Sequence, residues 1–75
     1  MKTIRDVLNK IKWTSGLNGV EIIIIHRGNP NNMKIIKGEE IIDIAPRAII
    51  CENAIIPYHR VICIKKDGLE VWRKK

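Results

Sequence analysis

The sequence contains no phenylalanine and few aromatic residues of any kind, since two tryptophans and one tyrosine make up its aromatic fraction of 4%. Isoleucine, whose β-branched side chain is stiff and favours strands, must therefore fill much of the core. The apolar fraction of 45% excludes a disordered chain, which would have too little apolar surface to fold. A chain of 75 residues predicts one domain, residues 1–75, with a core of modest size.

Long apolar segments are also missing. Apolar runs such as Ile22 to Ile25 are far shorter than the roughly 20 residues of a transmembrane helix. No secretory leader is predicted, because Met1, Lys2 and Thr3 lead directly into an amphipathic segment. We therefore expect a soluble, cytoplasmic protein that has no membrane partner.

Cysteine is scarce, and the two cysteines, Cys51 and Cys63, form no Cys-x-x-Cys pattern. Neither they nor the two histidines have the spacing along the chain that zinc ligands usually have, so no metal and no cofactor is predicted. Each cysteine lies in an apolar, strand-like run, which predicts buried free thiols in a reducing cytoplasm. A disulfide remains an alternative, because spacing alone does not decide it.

The first residues predict an amphipathic helix. Thr3 and Asp6 have the spacing of an N-terminal capping box. The apolar residues that follow recur every three or four positions and share one face: Ile4, Val7, Leu8 and Ile11. Trp13 closes the helix and is expected to pack beside it.

Beyond Gly19 the sequence predicts strands. The predicted strand segments are Val20–His26, Met33–Lys37, Glu40–Ile44, Arg47–Cys51, the short run Ile55–Ile56, His59–Lys66 and Leu69–Arg73. Several of these segments are apolar on both faces, and one helix covers only one face of a sheet. We therefore predict an α+β fold, in which the N-terminal helix packs on a strongly curved, mainly antiparallel sheet of about five strands or a partly closed barrel.

The charge of the chain is strongly positive. Fourteen Lys and Arg residues oppose eight Asp and Glu residues, which gives a formal net charge of +6. So large a positive charge on so small a domain favours a polyanionic partner. The alternative is a basic surface that only aids solubility, or a lysine-rich composition of the thermophile kind.

Two His-Arg steps are the candidate phosphate site. His26-Arg27 ends one predicted strand and is followed by Gly28, whereas His59-Arg60 opens another. The guanidinium group of arginine fits phosphate oxygens in a bidentate way, and histidine donates a further hydrogen bond. Because strand residues alternate between faces, we expect only one member of each pair to line the site. The alternative is that all four side chains are ordinary surface residues.

The segments that carry these steps resemble a known family. The similar residues are Ile25 to Gly28, Gly38, Ile56 to Val61, Gly68 and Val71-Trp72. They resemble a small, mainly archaeal family of formerly uncharacterised proteins that is described as the RNA cyclic group end recognition domain. The resemblance covers the chain from about Ile4 to Trp72.

The resemblance implies RNA binding, a role in RNA processing, and recognition of a terminal cyclic phosphate. By this resemblance the family's histidines and arginines map onto His26, Arg27, His59 and Arg60, with Tyr58 beside them. We expect these four residues to contact the phosphate and Tyr58 to contact the terminal nucleoside. Members of the family often end with Val-Trp, an acidic residue and then Arg. Here Val71-Trp72 is followed by Arg73 and Lys74, so the basic contact is expected from Lys74.

Catalysis is the minority interpretation. Ser15, the only serine, has no evident base beside it. Two histidines are able to cleave a phosphodiester by acid–base catalysis. However, the His-x-Thr or His-x-Ser repeat of two-histidine phosphoesterases is absent. A non-catalytic RNA-binding domain is therefore favoured over two alternatives, an enzyme that acts on RNA ends and a basic protein-interaction module.

Overall fold

The computed structural model describes residues 3–26, 28 and 32–74, so Arg27 of the predicted site lies outside the described residues. Helix α1 spans Ile4–Thr14. The strands in these ranges are β1 (Val20–Ile25), β2 (Met33–Lys37), β3 (Ile41–Ile44), β4 (Ala48–Cys51), β5 (Ile55–Pro57), β6 (Val61–Lys66) and β7 (Leu69–Arg73). Two short 3-10 turns, Gly38–Glu40 and Tyr58–Arg60, precede β3 and β6.

Helix α1 begins as the sequence predicts. The Thr3 hydroxyl accepts a hydrogen bond from the Asp6 N–H, and the Asp6 carboxylate accepts one from the Thr3 N–H, both at 3.2 Å. The expectation for Trp13 was wrong, because its side chain is 84% exposed. Ile11 belongs to the buried face, and two residues further on the helix has turned by about 200°, which directs Trp13 to the opposite face.

The strands form two antiparallel sheets. One sheet has four strands in the order β2-β1-β6-β7, and the other has three in the order β3-β4-β5. The predicted α+β class with an N-terminal helix on antiparallel sheet is confirmed. The strands number seven rather than about five, and within the described ranges they do not close into a barrel.

The core lies between the two sheets and helix α1. Leu8, Ile22, Ile49 and Ile64 are completely buried, so isoleucine contributes much of the core as predicted. Further buried members are Ile11, Val20, Ile24, Ile36, Ile44, Cys51, Ile56 and Val61, and Trp72 packs against them.

Both cysteines are buried free thiols, as expected. Burial is the main reason why the pKa of each thiol is raised. The Glu40 carboxylate adds to this effect at Cys51, and a hydrogen bond of 3.4 Å to Glu70 adds to it at Cys63. Both thiols therefore remain protonated at neutral pH.

The ladder between β1 and β6 gives the molecule two distinct ends. At one end Val20 pairs with Lys66, whose ammonium group donates hydrogen bonds to the carbonyls of Gly16 and Asn18 after helix α1. At the other end Ile24 pairs with Val61. The end of β1 and the beginning of β6 therefore lie side by side, far from the end of helix α1. The described part of the chain contains no helix that is both long and apolar enough to cross a membrane.

Candidate functional site

The β1–β6 pairing brings three of the predicted phosphate ligands together. His26 directly follows β1, and Arg60 directly precedes Val61, the first residue of β6. A cleft of about 450 Å³ opens at this end of the sheet and is lined by Ile25, His26, His59 and Arg60. Residues that are 33 positions apart in the chain, His26 and His59, thus share one cleft.

His59 and Arg60 both line this cleft, so the expectation that only one member of a His-Arg pair would do so was wrong for this pair. The reason is that the predicted strand does not begin at His59. Tyr58–Arg60 forms a 3-10 turn, closed by a hydrogen bond from the Val61 N–H to the Tyr58 carbonyl. Neighbouring side chains in a 3-10 turn are only about 120° apart, compared with opposite faces in a strand.

Lys74 lies beside the same cleft. Its ammonium group donates a hydrogen bond of 2.9 Å to the His59 carbonyl, and its N–H donates one of 2.8 Å to the Ile62 carbonyl. Arg73 is engaged elsewhere, because its guanidinium lies 2.6 Å from the Glu70 carboxylate and holds the pKa of Glu70 below its usual value. Of these two neighbouring basic residues, Lys74 is therefore the one whose charge is placed next to His59.

Gly28 lies in the segment that follows His26. Its φ angle of +94° falls in the left-handed region that favours glycine, and a Cβ atom at this position would meet no atom of the other described residues within 4 Å. The His26 N–H donates a hydrogen bond of 2.8 Å to the Asn32 carbonyl.

Tyr58 belongs to the same turn as His59 and Arg60 but does not itself line the cleft. Its hydroxyl donates a hydrogen bond to the Ala45 carbonyl, and its ring packs against the core. Its N–H donates a hydrogen bond of 3.4 Å to the Arg47 carbonyl. Burial is the main reason why the pKa of the Tyr58 hydroxyl is raised, so the hydroxyl remains a donor at neutral pH. Tyr58 thus attaches the His59-Arg60 turn to the segment between β3 and β4.

Replacement of Tyr58 by phenylalanine tests this arrangement. The ring still packs, but the hydrogen bond to Ala45 is lost, so the free energy of unfolding should fall by about 1 kcal/mol. Urea denaturation of Tyr58→Phe and the parent protein measures the difference. An unchanged free energy of unfolding, combined with weaker ligand binding, would instead identify the hydroxyl as a ligand contact.

One cationic residue at this end of the molecule was missed in the sequence. Lys34 on β2 pairs with Ile24 and so shares the inner face of the sheet, where it lines a second, smaller pocket together with His26 and Arg60. The sequence of β2 contains a weak indication, because Lys34 lies two residues before Ile36 and so shares its face of the strand. Only the pairing of β2 with β1 shows that this face is the inner one. Among residues 3–26, 28 and 32–74 no cluster of three potential metal ligands occurs.

Comparison with known proteins gives a consistent result. The family model described as the MJ1316 RNA cyclic group end recognition domain matches residues 1–74. A UPF0248 protein of Thermococcus sibiricus is 39% identical over 75 residues, which cover 96% of this chain and 85% of the relative. A UPF0248 protein of Pyrococcus abyssi is 36% identical, with 97% and 90% of the two chains covered. The corresponding values for UPF0248 protein MJ1316 of Methanocaldococcus jannaschii are 32%, 96% and 94%. No solved structure matches the chain.

Proposed function

This chain belongs to the family of the MJ1316 RNA cyclic group end recognition domain, and from this premise we propose that it binds RNA ends that carry a cyclic phosphate. The observation that carries the proposal is the cleft at which His26, His59 and Arg60 meet. A net charge of +6 supports a polyanionic ligand, because phosphate contacts supply most of the affinity in nucleic-acid binding.

In the proposed complex the terminal phosphate lies between the imidazoles and the guanidinium group. Arg60 donates a fork of two hydrogen bonds to phosphate oxygens, and His26 and His59 each donate one more. Lys74, held at the His59 carbonyl, adds positive charge at the rim of the cleft. Arg27, outside the described residues, is retained as a second phosphate-binding arginine, and the backbone at Gly28 makes close approach possible.

Tyr58 has a supporting role in this proposal. Its hydroxyl is engaged with Ala45, so it fixes the turn that presents His59 and Arg60 rather than contacting the nucleoside directly. This role replaces the contact with the terminal nucleoside that we expected for Tyr58. A loosened turn would lower affinity through the geometry of Arg60, since bidentate contacts depend on precise placement.

The proposal is tested with three RNA oligonucleotides of one sequence, which end in a 2′,3′-cyclic phosphate, a linear 3′-phosphate or a 3′-hydroxyl. Fluorescence anisotropy with a label at the 5′ end gives the Kd for each. We expect the cyclic phosphate end to bind at least about tenfold more tightly than the hydroxyl end, because charged hydrogen bonds each contribute roughly 1.5–3 kcal/mol. Equal affinity for all three ends would leave only nonspecific electrostatic attraction.

A second candidate function follows from the two histidines at one cleft. His26 and His59 both line it, and two histidines are the groups that acid–base cleavage of a cyclic phosphate would use. Incubation of the cyclic phosphate RNA with the protein, followed by separation of cyclic and linear ends, decides between the functions. Persistence of the cyclic end over many binding lifetimes would support recognition without catalysis.

A further inference from the structure

A second pocket, between the two sheets, adjoins the cleft lined by Ile25, His26, His59 and Arg60. Its volume is about 100 Å³, and it shares His26 and Arg60 with the larger cleft. The remaining walls come from three strands and the residue before β5: Ile24, Lys34, Ile36, Ala54, Ile55 and Ile56. Because His26 and Arg60 line both the cleft and the pocket, a ligand group in the cleft lies next to a ligand group in the pocket.

The walls of this pocket are mainly apolar. Ile24, Ile36 and Ile56 are at most 5% exposed and form part of the core, whereas Ile55 is 68% exposed at the mouth. Apolar walls of this kind suit a flat ring. The pocket therefore combines a mainly apolar surface with Lys34 and with the donors His26 and Arg60 that it shares with the cleft.

Lys34 is the polar residue that distinguishes this pocket. It pairs with buried Ile24 and therefore projects from the inner face of the sheet. Burial raises the pKa of the Cys51 thiol on β4, and the positive charge of Lys34 acts in the opposite direction on that pKa. Lys34 takes part in neither of the ion pairs found among the described residues, which join Lys66 with Asp67 and Arg73 with Glu70. Its ammonium group is thus placed to donate to a ligand in the space between the sheets.

From these features we infer that the small pocket binds the nucleoside that carries the terminal phosphate, with its base between Ile55 and the core and with Lys34 donating to an acceptor on the base. An ammonium group only donates, so it complements the carbonyl and ring-nitrogen acceptors of a base. This inference rests on the proposed function and deepens it. It makes Lys34 and Ile55 ligand contacts that neither the His-Arg steps nor the family resemblance indicates.

The test uses two RNAs that both end in a cyclic phosphate, one with its terminal base and one in which the terminal ribose is abasic. The parent protein should bind the abasic RNA about tenfold more weakly, since contact with one base contributes on the order of 1–3 kcal/mol. Ile55→Ala and Lys34→Gln should each reduce this difference to about threefold or less. Both should act mainly on the RNA that has its base.

Two matched variants serve as controls. Ile42→Ala removes the same atoms from a similarly exposed isoleucine, 61% exposed on β3, which does not line the pocket. Lys37→Gln removes the same charge from the other end of β2, where Lys37 pairs with Glu21. In both controls the ratio of the Kd values for abasic and base-bearing RNA should stay within about twofold of the ratio in the parent protein.

The outcomes separate this inference from the proposed function. Equal binding of the base-bearing and abasic RNAs, together with preference for cyclic over hydroxyl ends, would overturn the nucleoside pocket and leave phosphate recognition intact. Loss of all preference among the end groups would overturn both. Retention of the base effect in Lys34→Gln and Ile55→Ala, at the level of their controls, would show that the base binds elsewhere.

Discussion

Replacement of Arg60 by glutamine is expected to weaken binding of the cyclic phosphate RNA about 100-fold, because two charge-assisted hydrogen bonds to one phosphate are lost. Arg60 follows Tyr58 and His59 in the 3-10 turn and lines both the cleft that it shares with His26 and His59 and the adjoining pocket. It is exposed, so its replacement should leave the fold unchanged. Anisotropy titrations with the three RNA ends measure the loss.

Arg60→Lys separates charge from geometry. Lysine retains the positive charge but presents it as a point instead of a planar fork, so we expect an intermediate loss of about tenfold. The hydroxyl-ended RNA should be affected much less by either variant, because it offers no terminal phosphate. The preference for the cyclic end should therefore decrease in the order parent, Arg60→Lys, Arg60→Gln.

Lys12→Gln provides the control for a general loss of charge. Lys12 lies in the last turn of helix α1, which leads to the loop that contacts Lys66, at the end of the molecule opposite the cleft. Its removal should weaken binding to all three RNA ends by the same small factor. If Arg60→Gln produced the same uniform change as Lys12→Gln, Arg60 would contribute only to the overall field and not to end recognition.

Much of the local structure could be predicted because it depends on neighbouring residues. Thr3 and Asp6 form their capping box within one turn of helix, and Asp67-Gly68 forms the β6–β7 hairpin turn as its dipeptide indicates. The division into two sheets depends instead on pairing between distant segments. Val20 pairs with Lys66, 46 residues later in the chain, and no local sequence pattern determines the register of this pairing.

The candidate site shows the same contrast between residue type and position. The sequence identifies His26, His59 and Arg60 by their chemistry and by their nearness to predicted strand ends. That they line one cleft follows from the β1–β6 register, and that His59 and Arg60 do so together follows from the 3-10 turn. Lys34 was missed because its side-chain direction becomes clear only after β2 is paired with β1.

The glycines that carry the family resemblance occupy their positions for different physical reasons. Gly28 and Gly68 have φ angles of +94° and +84°, and a Cβ atom at either position would meet no atom of the other described residues within 4 Å. At these two positions glycine is favoured because of its backbone conformation. Gly38 is buried in the 3-10 turn before β3, and its requirement is space. Glycine is thus required for two different physical reasons, its φ angle at Gly28 and Gly68 and its lack of a side chain at Gly38.

Gly38→Ala is therefore expected to be among the most destabilising single-methyl substitutions in the chain. A Cβ atom at Gly38 would collide with the Leu17 carbonyl oxygen and would lie 2.9 Å from the carbonyl carbon of Leu17 and 3.0 Å from Cβ of Val20. Neither neighbour moves easily, because one is backbone and the other is a β-branched side chain that is 1% exposed. Overpacking of this kind should lower the free energy of unfolding by about 3 kcal/mol.

Urea denaturation of Gly38→Ala measures this loss against two reference variants. Glu39→Ala, an exposed neighbour in the same turn, should change the free energy of unfolding by less than about 0.5 kcal/mol. Gly28→Ala, which meets no atom of the other described residues but strains φ, should lower it by about 1–2 kcal/mol. A value for Gly38→Ala no larger than that for Glu39→Ala would mean that the Gly38–Glu40 turn and the Leu17 loop separate readily. Their close approach would then contribute little to holding β1 against the turn that leads into the second sheet.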